Sequence, residues 1–212
     1  MKKYIDSFHY LTQDVPTFSH IELATIACQA GAKWVQYRSK NKSSPEAWLE
    51  EASQIEAVCD DWGTTLIVCS AVELCLELGE VQGVHLERGD MPVKEARRIL
   101  GDDKTIGGSA HTLEEVLAAY DAGADYVGLG PHKPTRTIQH ANRFLGVDDY
   151  RRIAEELDKR NVSIPLIAAG GIRPDDVEGL MQTGISGVAA SSAINLSENP
   201  EAAYREFYRK LH

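Results

Sequence analysis

Cysteine is sparse in this 212-residue chain: four are present, and none forms a C-x-x-C pair. Cys69 and Cys75 stand six apart with no histidine pair nearby, so neither a zinc pattern nor a dithiol redox motif is present. Four reduced, mostly buried thiols are expected. Positive charge is also short, with 22 Lys and Arg against 32 Asp and Glu and a net charge of −10. Nucleic acid binding calls for a basic face, and this balance argues against it. Any anionic ligand must therefore be held by a local group of cations, by helix N-termini or by a metal ion. The apolar runs are strand-sized, so none is expected to span a bilayer or to engage a membrane. The opening Met1-Lys2-Lys3-Tyr4-Ile5-Asp6 lacks the apolar stretch of a secretory signal, and a cytoplasmic protein is expected. No low-complexity linker interrupts the chain, so residues 1–212 read as a single domain.

What is present is a repeated local design. Ala30-Gly31-Ala32-Lys33-Trp34-Val35, Leu78-Gly79-Glu80-Val81-Gln82-Gly83-Val84, Ala122-Gly123-Ala124-Asp125-Tyr126-Val127 and Thr183-Gly184-Ile185-Ser186-Gly187-Val188 each read as a helix end, a glycine, a short turn and an apolar strand. Glycine suits the left-handed position just past a helix. Four further strands are expected at His9 to Thr12, Thr65 to Cys69, Thr105 to Gly108 and Ile164 to Ala169. Pro45 opens one helix well, and Thr112-Leu113-Glu114-Glu115 reads as a capping box for another. Strands alternating with helices at about 26 residues per unit predict an α/β fold, a single (β/α)₈ TIM barrel. A doubly wound open sheet is the alternative, weakened because no G-x-G-x-x-G follows the first strand.

In such a barrel, function collects on the loops after the strands. The second strand ends Gln36-Tyr37-Arg38-Ser39-Lys40, and alternation puts Gln36, Arg38 and Lys40 on the face turned inward. Two cations and an amide there predict an anion site, with a salt-bridged mouth as the alternative. Small residues follow the last two strands, as Gly170-Gly171 and Ser191-Ser192. These are the positions where barrels commonly bind phosphate through backbone N–H groups. After the sixth strand, Thr135, Arg136 and Thr137 offer donors to a second anion or form a solvated polar loop. Glu87 and Asp90 follow the fourth strand, where two carboxylates beside a phosphate site suggest Mg²⁺. Ser109 brings a hydroxyl to the mouth after the fifth strand, and His85 reads as a hydrogen-bonded core residue.

Together these stretches resemble the thiamine phosphate synthase family. The resemblance rests on Gln36-x-Arg38-x-Lys40, Gly83-Val84-His85-Leu86 with Asp90, and Gly108-Ser109. It continues through Gly128-x-Gly130-Pro131 with Thr135-x-Thr137, Ala168-x-Gly170-Gly171-Ile172 and Ser192-Ala193-Ile194, and covers nearly the whole chain. It implies that hydroxymethylpyrimidine diphosphate is joined to a thiazole phosphate, giving thiamine phosphate and pyrophosphate with Mg²⁺ as cofactor. By position, Gln36 and Ser109 would hold the pyrimidine, Arg38 and Lys40 the diphosphate, and Asp90 the metal. Thr135, Thr137, Gly170, Gly171 and the backbone at Ser192 would hold the thiazole phosphate. A homo-oligomer is compatible with the sequence.

Three positions depart from the family pattern. The family's Asn-Asp pair after the third strand is Cys69-Ser70 here, and its lysine after the two threonines is Ile138. Three readings follow. A working synthase would relocate the lost groups, with Glu87 supplying a carboxylate and Arg136 or Lys133 a cation. A relative of the thiazole tautomerase would use a general acid–base near the thiazole, for which His132 is the candidate if it is not a solvated loop residue. A binding protein for thiamine phosphate or thiazole phosphate would need neither.

Overall fold

A computed structural model describes residues 3–41, 44–134 and 143–212. Thr135, Arg136, Thr137 and Ile138 lie outside the described residues. The elements run β1 (Phe8–Leu11), α1 (His20–Gln29), β2 (Trp34–Tyr37), α2 (Pro45–Asp61), β3 (Thr65–Cys69), α3 (Val72–Glu77), β4 (Gly83–Leu86) and α4 (Val93–Leu100). They continue with β5 (Thr105–Ala110), α5 (Leu113–Asp121), β6 (Tyr126–Leu129), α6 (Val147–Lys159), β7 (Leu166–Ala168), α7 (Pro174–Met181), β8 (Gly187–Ala190), α8 (Ser192–Asn195) and α9 (Pro200–Leu211). The strands pair in chain order, all parallel. The sheet closes where β1 meets β8, with His9 opposite Ala189. This is the (β/α)₈ barrel, and the open sheet is excluded by that closure.

Strand alternation divides the buried residues into two sets. Side chains such as Tyr10, Val35, Val68, Val84, Val127 and Val188 turn outward and pack against the helices. The alternate positions turn inward, where Trp34, Ile67, Tyr126 and Ile167 form a separate apolar plug. Local chemistry sets the helix ends. Gly31, Gly123 and Gly184 take φ of +99°, +92° and +88°, the left-handed turn expected after a helix. Gly79 does not; α3 stops at Glu77 and the chain leaves through an extended Leu78. Ser44 caps α2 ahead of Pro45. Thr112 caps α5 by accepting from Glu115 N–H, but the Glu115 carboxylate accepts from His111 N–H instead of closing the expected box on Thr112. No helix among the described residues is long and apolar enough to cross a membrane.

Candidate active site

The strand ends surround a cavity of about 380 Å³ at the C-terminal mouth of the barrel. Arg38, Lys40, Glu87, Ser109, Gly170, Gly171 and Ser192 all line it, so loops from five strands converge on one space. On the β7 and β8 side the wall is mostly backbone. Gly171 has φ +73°, and a Cβ on it would lie 2.7 Å from the Lys133 carbonyl oxygen, so only glycine fits that turn. The amide N–H groups of Gly171, Ser192 and Ala193 meet no acceptor among the described residues. Three unpaired donors around one cavity offer hydrogen bonds to an anion. Gln13 braces this wall: its side-chain oxygen accepts from Ser191 Oγ at 3.2 Å and Ser192 Oγ at 3.1 Å. Gln13 was not among the expected site residues, although its place just past β1 is the same signal that singled out the others.

The opposite side is built from charged side chains. Arg38 meets Glu87 through two hydrogen bonds, Nε to Oε1 at 2.5 Å and a second guanidinium nitrogen to Oε2 at 3.3 Å. Burial pushes the Glu87 carboxyl up, but the Arg38 hydrogen bonds and charge outweigh it and hold it below the usual carboxylate range. Arg88 is paired with Glu115 at 2.5 Å. Lys40 is exposed, and its ammonium makes no ion pair among the described residues. Its backbone N–H donates to Asp14 at 2.9 Å, which also accepts from Ser39 and pins this loop to the one after β1. The expected row of Gln36, Arg38 and Lys40 is therefore split. Arg38 and Lys40 reach the cavity, whereas Gln36 lies inside the barrel beneath it, with its amide engaged by His9, Tyr126 and Cys69.

The remaining expectations sort the same way. Asp90 accepts from the Glu87 backbone N–H at 2.6 Å, leaving its other oxygen without a partner among the described residues. Glu87 has both oxygens on Arg38, so the two carboxylates do not converge on a common point here. No group of three His, Cys, Asp or Glu able to hold a metal is found among the described residues. Lys133, a candidate replacement cation, is bound to Asp176 instead of facing the cavity. His132 is not a solvated loop residue: its side chain is 8% exposed, and Nδ1 lies 2.8 Å from the Leu145 carbonyl. His85 is buried and hydrogen-bonded as expected, its pKa pushed down to about 4 by burial, with Arg38 adding to the shift and Glu87 and Asp90 opposing it. Cys69 is buried, and burial pushes its thiol well above the ordinary range, so it stays protonated. Ser70 takes φ +59° and donates its N–H to the His85 carbonyl.

The fold and this cavity define a (β/α)₈-barrel protein whose C-terminal mouth pairs a wall of backbone donors with a wall of ionic side chains. A family profile described as thiamine monophosphate synthase matches residues 11–194. The chain belongs to that family. It is similar to the thiamine-phosphate synthase of Bacteroides fragilis, 39% identical over 194 residues, covering 92% of this chain and 94% of the relative. The thiamine-phosphate synthase of Phocaeicola vulgatus is 38% identical over 193 residues, covering 91% and 92%. Among solved structures, a thiamine phosphate pyrophosphorylase from Pyrococcus furiosus superposes with a TM-score of 0.84 at 29% identity, covering 97% of this chain and 95% of that one.

Proposed function

We propose that this chain, acting as one cytoplasmic barrel domain, is a thiamine-phosphate synthase. Its reaction joins hydroxymethylpyrimidine diphosphate to a thiazole phosphate. The observation that carries the reading is the convergence of Arg38, Lys40, Ser109, Gly170, Gly171 and Ser192 on one cavity. The bond between the pyrimidine methylene carbon and the diphosphate oxygen breaks, and its electron pair leaves with pyrophosphate. The thiazole nitrogen lone pair then forms the new carbon–nitrogen bond. Negative charge grows on the leaving diphosphate, so fixed cations facing it lower the barrier. Lys40 is available for this at once. Arg38 becomes available when the diphosphate takes the place of the Glu87 carboxylate. Ser109 would contact the pyrimidine, and Gln36, held beneath the cavity by His9, Tyr126 and Cys69, would act only through its buried partners. The backbone donors at Gly170, Gly171 and Ser192 would hold the thiazole phosphate together with Thr135, Arg136 and Thr137.

Mg²⁺ fits the donor set, because such an ion takes one or two carboxylates and completes its shell with water and phosphate oxygens. Asp90 would hold it through its unengaged oxygen, and Glu87 would join once Arg38 turns to the diphosphate. The ion would supply neutralisation of the leaving group. The test is to incubate the protein with both substrates, with and without Mg²⁺, and to assay for thiamine phosphate and released pyrophosphate. Stoichiometric formation of both is expected. Binding of the thiazole phosphate with no product would overturn the reading.

A further inference from the structure

Below the cavity floor runs a buried chain of polar groups. Cys69 Sγ lies 3.7 Å from Gln36 Oε1, and Gln36 Nε2 lies 3.0 Å from His9 Nδ1 and 3.2 Å from Tyr126 OH. Tyr126 OH is 3.1 Å from His85 Nδ1, and His85 Nε2 is 3.0 Å from Ser109 Oγ at the cavity. Cys69, His9, Gln36, Tyr126 and His85 are buried, which leaves solvent no place between them; only Ser109, at the end of the chain, is open to the cavity. Gly107 keeps the space open: a Cβ there would lie 2.6 Å from His85 Nδ1 and against the Tyr126 ring.

Counting donors and acceptors fixes the direction of every bond. With the thiol donating to the Gln36 carbonyl, the two amide hydrogens go to His9 Nδ1 and the Tyr126 oxygen. The Tyr126 proton then finds His85 Nδ1 as its acceptor, so the His85 proton sits on Nε2 and is donated to Ser109 Oγ. Turning the Gln36 amide over would reverse the chain. Both amide hydrogens would then face a thiol sulfur, a weak acceptor, and two buried donors would go without a good partner. The first arrangement leaves only the His9 Nε2–H unpaired among the groups of this chain. A doubly protonated His85 is no better, because it would leave the Tyr126 proton without an acceptor.

We infer that His85 and Tyr126 are positioning residues: the chain that begins at Cys69 makes Ser109 Oγ the acceptor of the His85 proton and turns the Ser109 proton toward the cavity. Ser109 then recognises a lone pair, such as a ring nitrogen of a pyrimidine, in preference to an amino group. The pyrimidine comes from the function proposed above; the polarity of the chain does not. It also gives the buried Cys69 thiol a task of its own: its S–H selects the orientation of the Gln36 amide.

Nitrogen-15 NMR of the histidine rings in the substrate-free protein, with His85 assigned by its loss in His85→Gln, reads the tautomer directly. A single neutral ring protonated on Nε2 is expected. Tyr126→Phe should give mixed tautomers and raise KM for the pyrimidine diphosphate about tenfold with kcat changed much less. Cys69→Ser keeps a donor and should retain the wild-type tautomer and KM. A wild-type proton on Nδ1 overturns the inference whether or not the protein makes thiamine phosphate. An unchanged tautomer and KM in Tyr126→Phe overturn the positioning role. A proton on Nε2 without any thiamine phosphate formed overturns the proposed reaction and leaves the polarity standing.

Discussion

The two walls of the cavity are made of different material. The wall after β7 and β8 offers backbone N–H groups on turns that admit little besides glycine or small residues. The wall after β2 and β4 offers long charged side chains, and there Arg38 is already satisfied by Glu87. Backbone donors are set by the fold itself and stay aimed with or without ligand. Side-chain cations must be kept charged and apart from internal carboxylates, so a single substitution rewires them.

If that contrast holds, damage to the backbone wall should harm folding and binding together. Gly171→Ala forces a side chain into φ +73° and against the Lys133 carbonyl, and is expected to cost about 2 kcal/mol of stability. It should also abolish measurable thiazole phosphate binding. Thermal unfolding and calorimetric titration check both, and a wild-type melting temperature with wild-type affinity would erase the distinction between the walls. Arg38→Ala should instead separate the two effects. About thirty-fold weaker diphosphate binding is expected, with the melting temperature shifted by only about 2 °C. Equal losses in both would mean that the Arg38–Glu87 pair is a structural salt bridge.

Glu87→Gln sharpens the comparison further, because its two readouts move in opposite directions. Without Mg²⁺, pyrophosphate should bind about threefold tighter, since Arg38 no longer faces a carboxylate. With Mg²⁺, turnover should fall at least tenfold, because one oxygen ligand is weakened. Unchanged turnover would leave Asp90 as the sole carboxylate for the ion. The smallest effect belongs to Asp176, which braces the backbone wall from behind by accepting from Lys133 and from the Arg173 N–H. Burial pushes its carboxyl up, but those hydrogen bonds outweigh it and leave the pKa lowered. Its contribution is therefore complete above the ordinary carboxylate pKa and disappears as pH falls through the depressed one. Asp176→Asn should lower stability by about 1 kcal/mol at neutral pH and by progressively less in acid, as equilibrium denaturation at a series of pH values would show.

The strand positions were legible in the sequence because outward residues such as Val35, Val84 and Val127 alternate with inward ones, and because Gly31, Gly123 and Gly184 mark helix ends. The Gly170-Gly171 turn was legible for the same local reason. The depth of Gln36 is not legible, because alternation gives a side chain's face but not its depth. Gln36 points inward as expected, yet three buried partners hold it below the floor. The burial of His132 is not legible in the sequence, because nothing local announces that the Leu145 carbonyl reaches it from just before α6.

By itself, then, the sequence determined what depends on short range: the barrel count, the turns, and which loops carry donors and charges. Tertiary structure decided which of those groups are free to meet a ligand. Arg38 and Glu87 are 49 residues apart, Lys133 and Asp176 are 43 apart, and Gln36 and Tyr126 are 90 apart. Pairings at that separation arise only when the closed barrel brings its strand ends within hydrogen-bonding distance, and a buried polar group must take whichever partner the closure supplies.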